Sequence, residues 1–481
     1  MSMKKIFRIV TTSLVCTAIF GFIGCSDMLS KLDGMHWGTT YTVRHLLQDL
    51  NRDKNGVEKG RYTEDTYERE TLPNTVPNTL TEAKPKDISG FTPRDFEQVI
   101  VDGDGSTTID IYYDRKEVTL TFKANGGYFI TENQSKESTK TLTQFYGTEA
   151  SLRKPRYDNG SSDIEVSFYD FVPVQDNLNT SPLNPKASDD YINFSVPATD
   201  GTYQALWDVS ATIDNFVGSS IQIPSGKLNI TGRATPDNLK ALAGQIKADD
   251  TKQIELNLKD LQPGSDPLVF EGGNVNSQFA DNPALTKVEL PTTGKIELRT
   301  NAFKGCTNLT SITIGPNVTE VSGSAFWGCH KLEFNVDPNH STLIAVQDKK
   351  ALLREEYDET YTLVSYPSAT GTIDLGRLGY TITTIGTFAL AGLHQETITL
   401  RIPASVKKIE SWGTSQSDRG KLLTIIMDGT EPPELPGEEQ TFSTLGEKVE
   451  IYVPDASLKD YKKGWVNYVD NISPMSAYKP E

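Results

Sequence analysis

Asn301-Ala302-Phe303-Lys304-Gly305-Cys306 and Ser324-Ala325-Phe326-Trp327-Gly328-Cys329 repeat Phe, Gly and Cys at a spacing of 23 residues, and this recurrence decides the fold. A period of roughly 20–25 residues marks rungs that stack, because one such unit buries too little apolar surface to stand alone. Further copies lie on both sides. Phe279-Ala280-Asp281-Asn282 precedes Leu285, and Leu390-Ala391-Gly392-Leu393 forms a later, degenerate copy. Within each period a short stretch alternates apolar and polar residues, as in Leu309, Ile312 and Ile314 or Ile398, Leu400 and Ile402. One side of a strand therefore enters a core. Asn317-Val318 with Val321, and Ser405-Val406 with Ile409, mark a second inward-facing strand or turn that closes the rung.

From about Ile254 to Pro454 this pattern resembles the BspA-like leucine-rich repeat of surface lipoproteins of Bacteroidetes type. The resemblance implies a solenoid, and it accounts for two irregular stretches. Phe334 to Asn339, through Ala351-Leu352-Leu353 to Leu363-Val364-Ser365-Tyr366-Pro367, resembles the hairpin insertion that replaces a rung's outer arc. Ile451-Tyr452-Val453-Pro454, then Leu458, Tyr461 and Trp465, resembles the segment capping the last rung. A cap has a physical reason, since an open end exposes strand edges and core.

Upstream, Tyr41-Thr42-Val43-Arg44-His45 and Asp104-Gly105-Ser106 leading into Ile109 to Arg115 resemble the mucin-binding, ubiquitin-like modules of bacterial surface proteins. Leu120 to Gly127, Tyr146-Gly147 and Tyr203-Gln204-Ala205-Leu206-Trp207 resemble the Listeria-Bacteroides repeat, without its usual Gly-Tyr-x-Phe-x-Gly-Trp centre. Independently of either family, Val118 to Phe122 and Ile192 to Val196 alternate as strands do, and Asn125-Gly126 supplies the positive-φ residues of a tight hairpin. Pro236-Asp237-Asn238-Leu239, with Leu242 and Ile246, predicts a helix that caps the first rung.

The fold class is therefore mostly β, with β-grasp-like N-terminal modules followed by a leucine-rich repeat solenoid with terminal caps. The boundaries are a signal peptide at 1–24, a lipid-anchor linker at 25–38, a ubiquitin-like module at 39–115 and a Listeria-Bacteroides-repeat-like module at 116–208. A solenoid N-cap at 209–253, repeats at 254–453 and a C-terminal cap at 454–481 complete the chain.

The signal rests on Lys4, Lys5 and Arg8 before an uncharged apolar run from Ile9 to Gly24. That run falls short of the roughly 20 residues a membrane-spanning helix needs. It ends in Phe22-Ile23-Gly24-Cys25, which resembles the lipobox of bacterial lipoproteins with Phe in place of the usual Leu. The resemblance implies lipidation at Cys25, and Ser26-Asp27 resembles a surface-export signal. Removing the signal takes three of the 47 Lys and Arg, leaving 44 against 64 Asp and Glu, a net charge of −20. No basic run of five or more appears, so a nucleic-acid partner is excluded.

Chemistry is sparse. The five histidines, His36, His45, His330, His340 and His394, form no zinc-type pair, and neither a Gly-x-Ser-x-Gly elbow nor a P-loop occurs. No catalytic residue, metal or cofactor is expected. Asp102-Gly103-Asp104-Gly105 offers alternate carboxylates of the kind that suit calcium, but without the glutamate of an EF-hand it reads as a turn. Trp207 and Trp465 read as core. Trp327 occupies the slot of Lys304 and Ala391 in other rungs, where a side chain faces water, and is a candidate contact residue against the plainer reading of an isolated exposed aromatic. Lys287, Glu289, Ser311, Thr313, Thr399 and Arg401 lie between inward apolar positions and should form one continuous polar ladder. Solvated positions without function are the plainer alternative.

The expected function is that of a monomeric surface lipoprotein in the outer membrane, acting as an adhesin or protein-binding module toward a host or bacterial surface protein. A glycan-binding component of an uptake system and a structural spacer are the alternatives. The mature protein should begin at lipidated Cys25. Intact mass and detergent partitioning of the wild type should show an acylated species, and Cys25→Ala should yield a soluble or uncleaved form; an unmodified N-terminus in the aqueous phase contradicts the anchor.

Overall fold

The computed structural model describes residues 39–51, 56–158, 162–174, 183, 186–188, 190–273, 278–390, 399–410, 424–436 and 449–479. The signal segment, Cys25, the linker to residue 38, and the degenerate copy from Ala391 to Ile398 lie outside them, with His36 and His394. The chain packs as two compact units. The described part of one draws on residues up to 121, 141–153 and 173–202; the other draws on 122–140, 154–172 and 203–481. The stretch 116–208 thus contributes to both.

In the first unit the long strand Thr39–Asn51 is central. It pairs antiparallel with Gly56–Glu64 and Glu70–Thr75 and parallel with Thr108–Arg115. Phe91–Pro93 pairs antiparallel with the last of these. Alternation places Tyr41, Val43, Ile109, Ile111 and Tyr113 in one buried cluster, as period-2 patterning requires. The Asp102 to Gly105 stretch is a turn: Asp104 Oδ1 accepts from Ser106 N at 2.9 Å, and Gly105 adopts φ +80°. A smaller antiparallel sheet pairs Glu149–Arg153 with Tyr191–Ser195.

The second unit opens on a tight turn. Gly127 N donates to Ala124 O at 3.1 Å, and both central residues, Asn125 and Gly126, have positive φ, the geometry of a mirror-image hairpin turn. Trp207 closes over it, its Nε1 donating to Ala124 O and Asn125 O at 3.1 Å. A Cβ on Gly127 would lie 2.3 Å from the Trp207 ring, so only glycine fits there.

From here rungs accumulate. Gly201–Thr212, Gly226–Ala234, Ile254–Asn257, Leu285–Glu289, Ser311–Ile314 and Glu333–Val336 pair in parallel, each with the next. The second strands of the rungs, Leu268–Phe270, Ile296–Leu298 and Val318–Val321, form their own parallel sheet. The expected helix runs over Pro236–Lys247, with Thr235 and Asn238 in a reciprocal capping box and Leu239, Leu242, Ala243 and Ile246 buried. Among the described residues no helix is long and apolar enough to cross a membrane.

After Val336 the rungs are interrupted by an antiparallel meander of Leu343–Val346, Ala351–Glu355 and Thr360–Ser365. Both of its faces are apolar. Leu352 and Val364 join the core of the earlier rungs, while Ala351, Leu353 and Leu363 join a second core that continues to Ile472. A parallel sheet then resumes with Thr372–Asp374, Thr399–Ile402, Thr424–Met427, Glu450–Val453 and Ile472–Pro474. Trp465 is buried near its end and donates from Nε1 to Pro433 O at 2.9 Å.

The 23-residue recurrence has a geometric cause. Phe279, Phe303 and Phe326 stack ring on ring, with centroids 5.6 and 5.9 Å apart. Cys306 Sγ donates to Phe279 O at 3.1 Å, and Cys329 Sγ to Phe303 O at 3.2 Å. Each thiol thus meets the carbonyl of the preceding rung's phenylalanine, and Phe303 O also accepts from Cys306 N at 3.2 Å. Between Phe and Cys, Gly305 and Gly328 hold φ of +72° and +79°, where Asp281 of the earlier rung holds +53°; glycine adopts this conformation without steric cost.

Phe303→Ala should cost about 3–5 kcal/mol, because it removes the middle ring of the stack, and thermal unfolding should show the loss. A shift of less than a degree would contradict a load shared through this column. Cys306 and Cys329 are free and buried, and burial pushes the Cys306 thiol up to about 12 and the Cys329 thiol well above its ordinary value. Both should therefore resist alkylation in the native protein at pH 8 and be labelled together once it is unfolded without reductant; absence of labelling and a mass two units lower would indicate a disulfide.

Candidate functional site

Alternation aims every second side chain of the first parallel sheet away from the core, and the register fixes which of them stand side by side. One column reads Asp208, Lys227, Glu255, Lys287, Ser311, Glu333; the next reads Ser210, Asn229, Asn257, Glu289, Thr313, Asn335. Parallel strands lie about 4.8 Å apart, so neighbours within a column touch. Lys287 Nζ lies 2.8 Å from Glu255 Oε1. Asn257 Nδ2 donates to Asn229 Oδ1 at 2.9 Å, and Asn229 Nδ2 donates to Asp208 Oδ1 at 2.5 Å and Ser210 Oγ at 3.3 Å. Further along, Asn335 Nδ2 donates to Ser311 Oγ at 2.6 Å and itself accepts from Lys349 Nζ at 2.9 Å. Lys227 Nζ sits 4.0 Å from the centroid of the Tyr169 ring, and a hydrogen bond to Tyr169 raises its pKa.

The first four members of one column alternate in sign. Surface ion pairs of this kind add only about 0–1 kcal/mol each, so their effect is to fix side-chain positions rather than to stabilise the fold. Lys287, Glu289 and Thr313 stay exposed, whereas Ser311 is partly buried.

Two expectations require correction. The polar ladder is not continuous: Thr399 and Arg401 belong to the later sheet, where they align with Thr372 and Asp374 on one side and Thr424 and Ile426 on the other. The meander separates them from Lys287 and its neighbours, because its strands run antiparallel and do not extend the first sheet. Arg401 is instead held by Asp428, whose oxygens lie 2.8 and 3.1 Å from its Nε. Trp327 does not face open water either. It is partly buried, Lys304 Nζ of the preceding rung lies 4.2 Å from its ring centroid, and its Nε1 is buried without a partner. Stacking of equivalent positions places one rung's side chain over the next, which the sequence slot alone did not convey.

The upstream members of the columns, Asp208, Lys227, Asn229, Glu255 and Asn257, were not foreseen. Their signal was present: Lys227-Leu228-Asn229-Ile230 and Glu255-Leu256-Asn257-Leu258 share one alternation. In the first unit, His45 is fully buried, its Nδ1 2.7 Å from Tyr113 Oη, and burial lowers its pKa. The described residues contain no group of His, Cys, Asp and Glu that could hold a metal.

Comparison with known proteins bears on this region. Residues 275–345 match the BspA type leucine rich repeat region, in six copies. Among curated proteins none matches the chain. Two solved structures are similar at low identity. A leucine rich cell surface protein from Faecalibacterium prausnitzii A2-165 is 14% identical, over 60% of this chain and 86% of that one, with a TM-score of 0.27. A leucine-rich repeat protein from Eubacterium ventriosum ATCC 27560 is 13% identical, over 48% of this chain and 72% of that one, with a TM-score of 0.25. Residues 275–345, where the stacked Phe and Cys positions recur, are thus similar to a BspA-type leucine-rich repeat region.

Proposed function

We propose that this chain is a cell-surface lipoprotein, anchored through Cys25, that binds a protein partner across the outward face of its first parallel sheet. The observation that carries the reading is the pair of ordered polar columns centred on Lys287 and Glu289. Their backbone is fixed by strands on both sides, and several side chains are already held by their neighbours. Such order lowers the entropy lost on docking. Mixed charge, with lysines set between carboxylates and amides, suits a protein surface of complementary pattern and offers no continuous cation path to a phosphate backbone.

The repeat match supports a binding role rather than catalysis. The helix Pro236–Lys247, expected as a cap, lies instead between the paired strands Gly226–Ala234 and Ile254–Asn257; the segment around Trp465 acts as a cap in this reading, and the N-terminal β units are β-grasp-like by resemblance. The protein works as a monomeric adhesin.

On an array of immobilised extracellular-matrix proteins, the chain from residue 26 onward should bind at least one. The double variant Lys287→Ala/Glu289→Ala should lose about tenfold in affinity or more, equivalent to about 1.4 kcal/mol, with a melting temperature within a few degrees of wild type. Unchanged affinity in that variant, with affinity lost in a chain lacking residues 39–208, would place the site in the N-terminal units instead.

A further inference from the structure

Leucine-rich rungs extend a parallel sheet from strand to strand, and among the described residues that continuity fails between Glu333–Val336 and Thr372–Asp374. The turn joining the first two strands of the meander occupies the break. Its residues Gln347, Asp348 and Lys349 all have positive φ, 53°, 53° and 66°, and Lys349 O accepts from Phe334 N at 2.7 Å, which ties the turn to the edge of the earlier sheet. Between this turn and the later sheet an open cleft of about 520 Å³ remains. That volume lies within the range of about 300–1,000 Å³ typical of small-molecule sites.

The cleft presents donors, acceptors and ring surface together. Asp348 enters from the turn, and Asp374 and Arg377 from the strand Thr372–Asp374 and the short helix after it. Asp374 is oriented twice over: its Oδ1 accepts from Gly376 N at 3.0 Å, and its Oδ2 lies 3.3 Å from Arg377 Nε. Arg401 comes from the next strand, oriented by Asp428. Ring surface comes from Tyr478, with the buried Tyr366 beneath. Tyr366 is 8% exposed, and Tyr478 leans on Tyr452 with ring centroids 5.0 Å apart.

This combination selects a ligand class. Lys350, Arg377 and Arg401 are matched by Asp348, Asp374 and the Asp428 that holds Arg401, so the cleft offers no net positive charge to a phosphate or sulfate and sets two carboxylates against it. An apolar ligand would bury these ionised groups without replacing their hydrogen bonds with water. A neutral polyhydroxylated molecule meets neither objection: its hydroxyls donate to the carboxylates and accept from the guanidinium groups, while a ring C–H face packs on Tyr478. We infer that this cleft is a binding site for a neutral saccharide, held through its hydroxyls by Asp348, Asp374, Arg377 and Arg401 and packed against Tyr478. The site is separate from the Lys287 and Glu289 face and does not depend on it.

Isothermal titration of the chain from residue 26 onward with galactose, N-acetylglucosamine, lactose, cellobiose and glucuronic acid tests the assignment. At least one neutral sugar should bind, with Kd of the order of millimolar or tighter. Asp374→Asn combined with Arg377→Ala should weaken it about tenfold or more, whereas Lys287→Ala/Glu289→Ala should leave it unchanged. Because Asp374 caps a short helix, Asp348→Asn in the exposed turn gives a second reading, again as weakened sugar binding at unchanged melting temperature. No binding by any neutral sugar, binding of glucuronic acid alone, or wild-type affinity in both cleft variants would overturn the site. Matrix-protein binding by the cleft variants should match wild type, so failure of one assignment is distinguishable from failure of the other.

Discussion

A single rung of this protein cannot hide its apolar side, and the contact that solves this is the column in which Phe279, Phe303 and Phe326 lie on one another. Aromatic rings alone do not set a register, since they can slide. Backbone bonds between rungs do: Phe303 N donates to Ala325 O and Gly305 N to Trp327 O, both at 2.7 Å, and each cysteine thiol adds a bond to the carbonyl of the phenylalanine one rung earlier. A slipped stack would break these backbone bonds, and each buried group left unpaired costs about 1–3 kcal/mol. The alignment of the outward columns follows from this inward one, because the two faces of a strand are linked by the fixed alternation of the backbone.

The meander is the device that lets the protein stop one sheet and start another without exposing core. Its middle strand is buried on both sides, with Leu352 facing the earlier rungs and Ala351 and Leu353 the later ones. A strand with two apolar faces reads as a continuous hydrophobic run instead of an alternating one, and Ala351-Leu352-Leu353 has that character. The break it creates divides the polar positions into two kinds of surface. On one side, neighbours in register neutralise and immobilise each other; on the other, the turn at Asp348 leaves a cleft in which charged groups face a common volume.

Much of this was legible beforehand. The period of 23 residues, the inward strands at Leu285–Glu289 and Ser311–Ile314, the helix after Thr235, the Asn125-Gly126 turn and the buried Trp207 and Trp465 all follow from local patterns whose physical cause is local: alternation, capping or positive φ. The outward positions Lys287, Glu289, Ser311 and Thr313 were equally readable, because a strand has only two faces.

The sequence by itself determined the rungs, since their period and their Phe, Gly and Cys positions are set by contacts that recur every 23 or 24 residues. Only the tertiary structure decided how far the rungs run together. It extended the polar columns upstream to Asp208 and Lys227, cut Thr399 and Arg401 away from Lys287, and laid Lys304 over Trp327. Those outcomes depend on which strand lies beside which, and pairing between strands distant along the chain is a property of packing that no single repeat encodes.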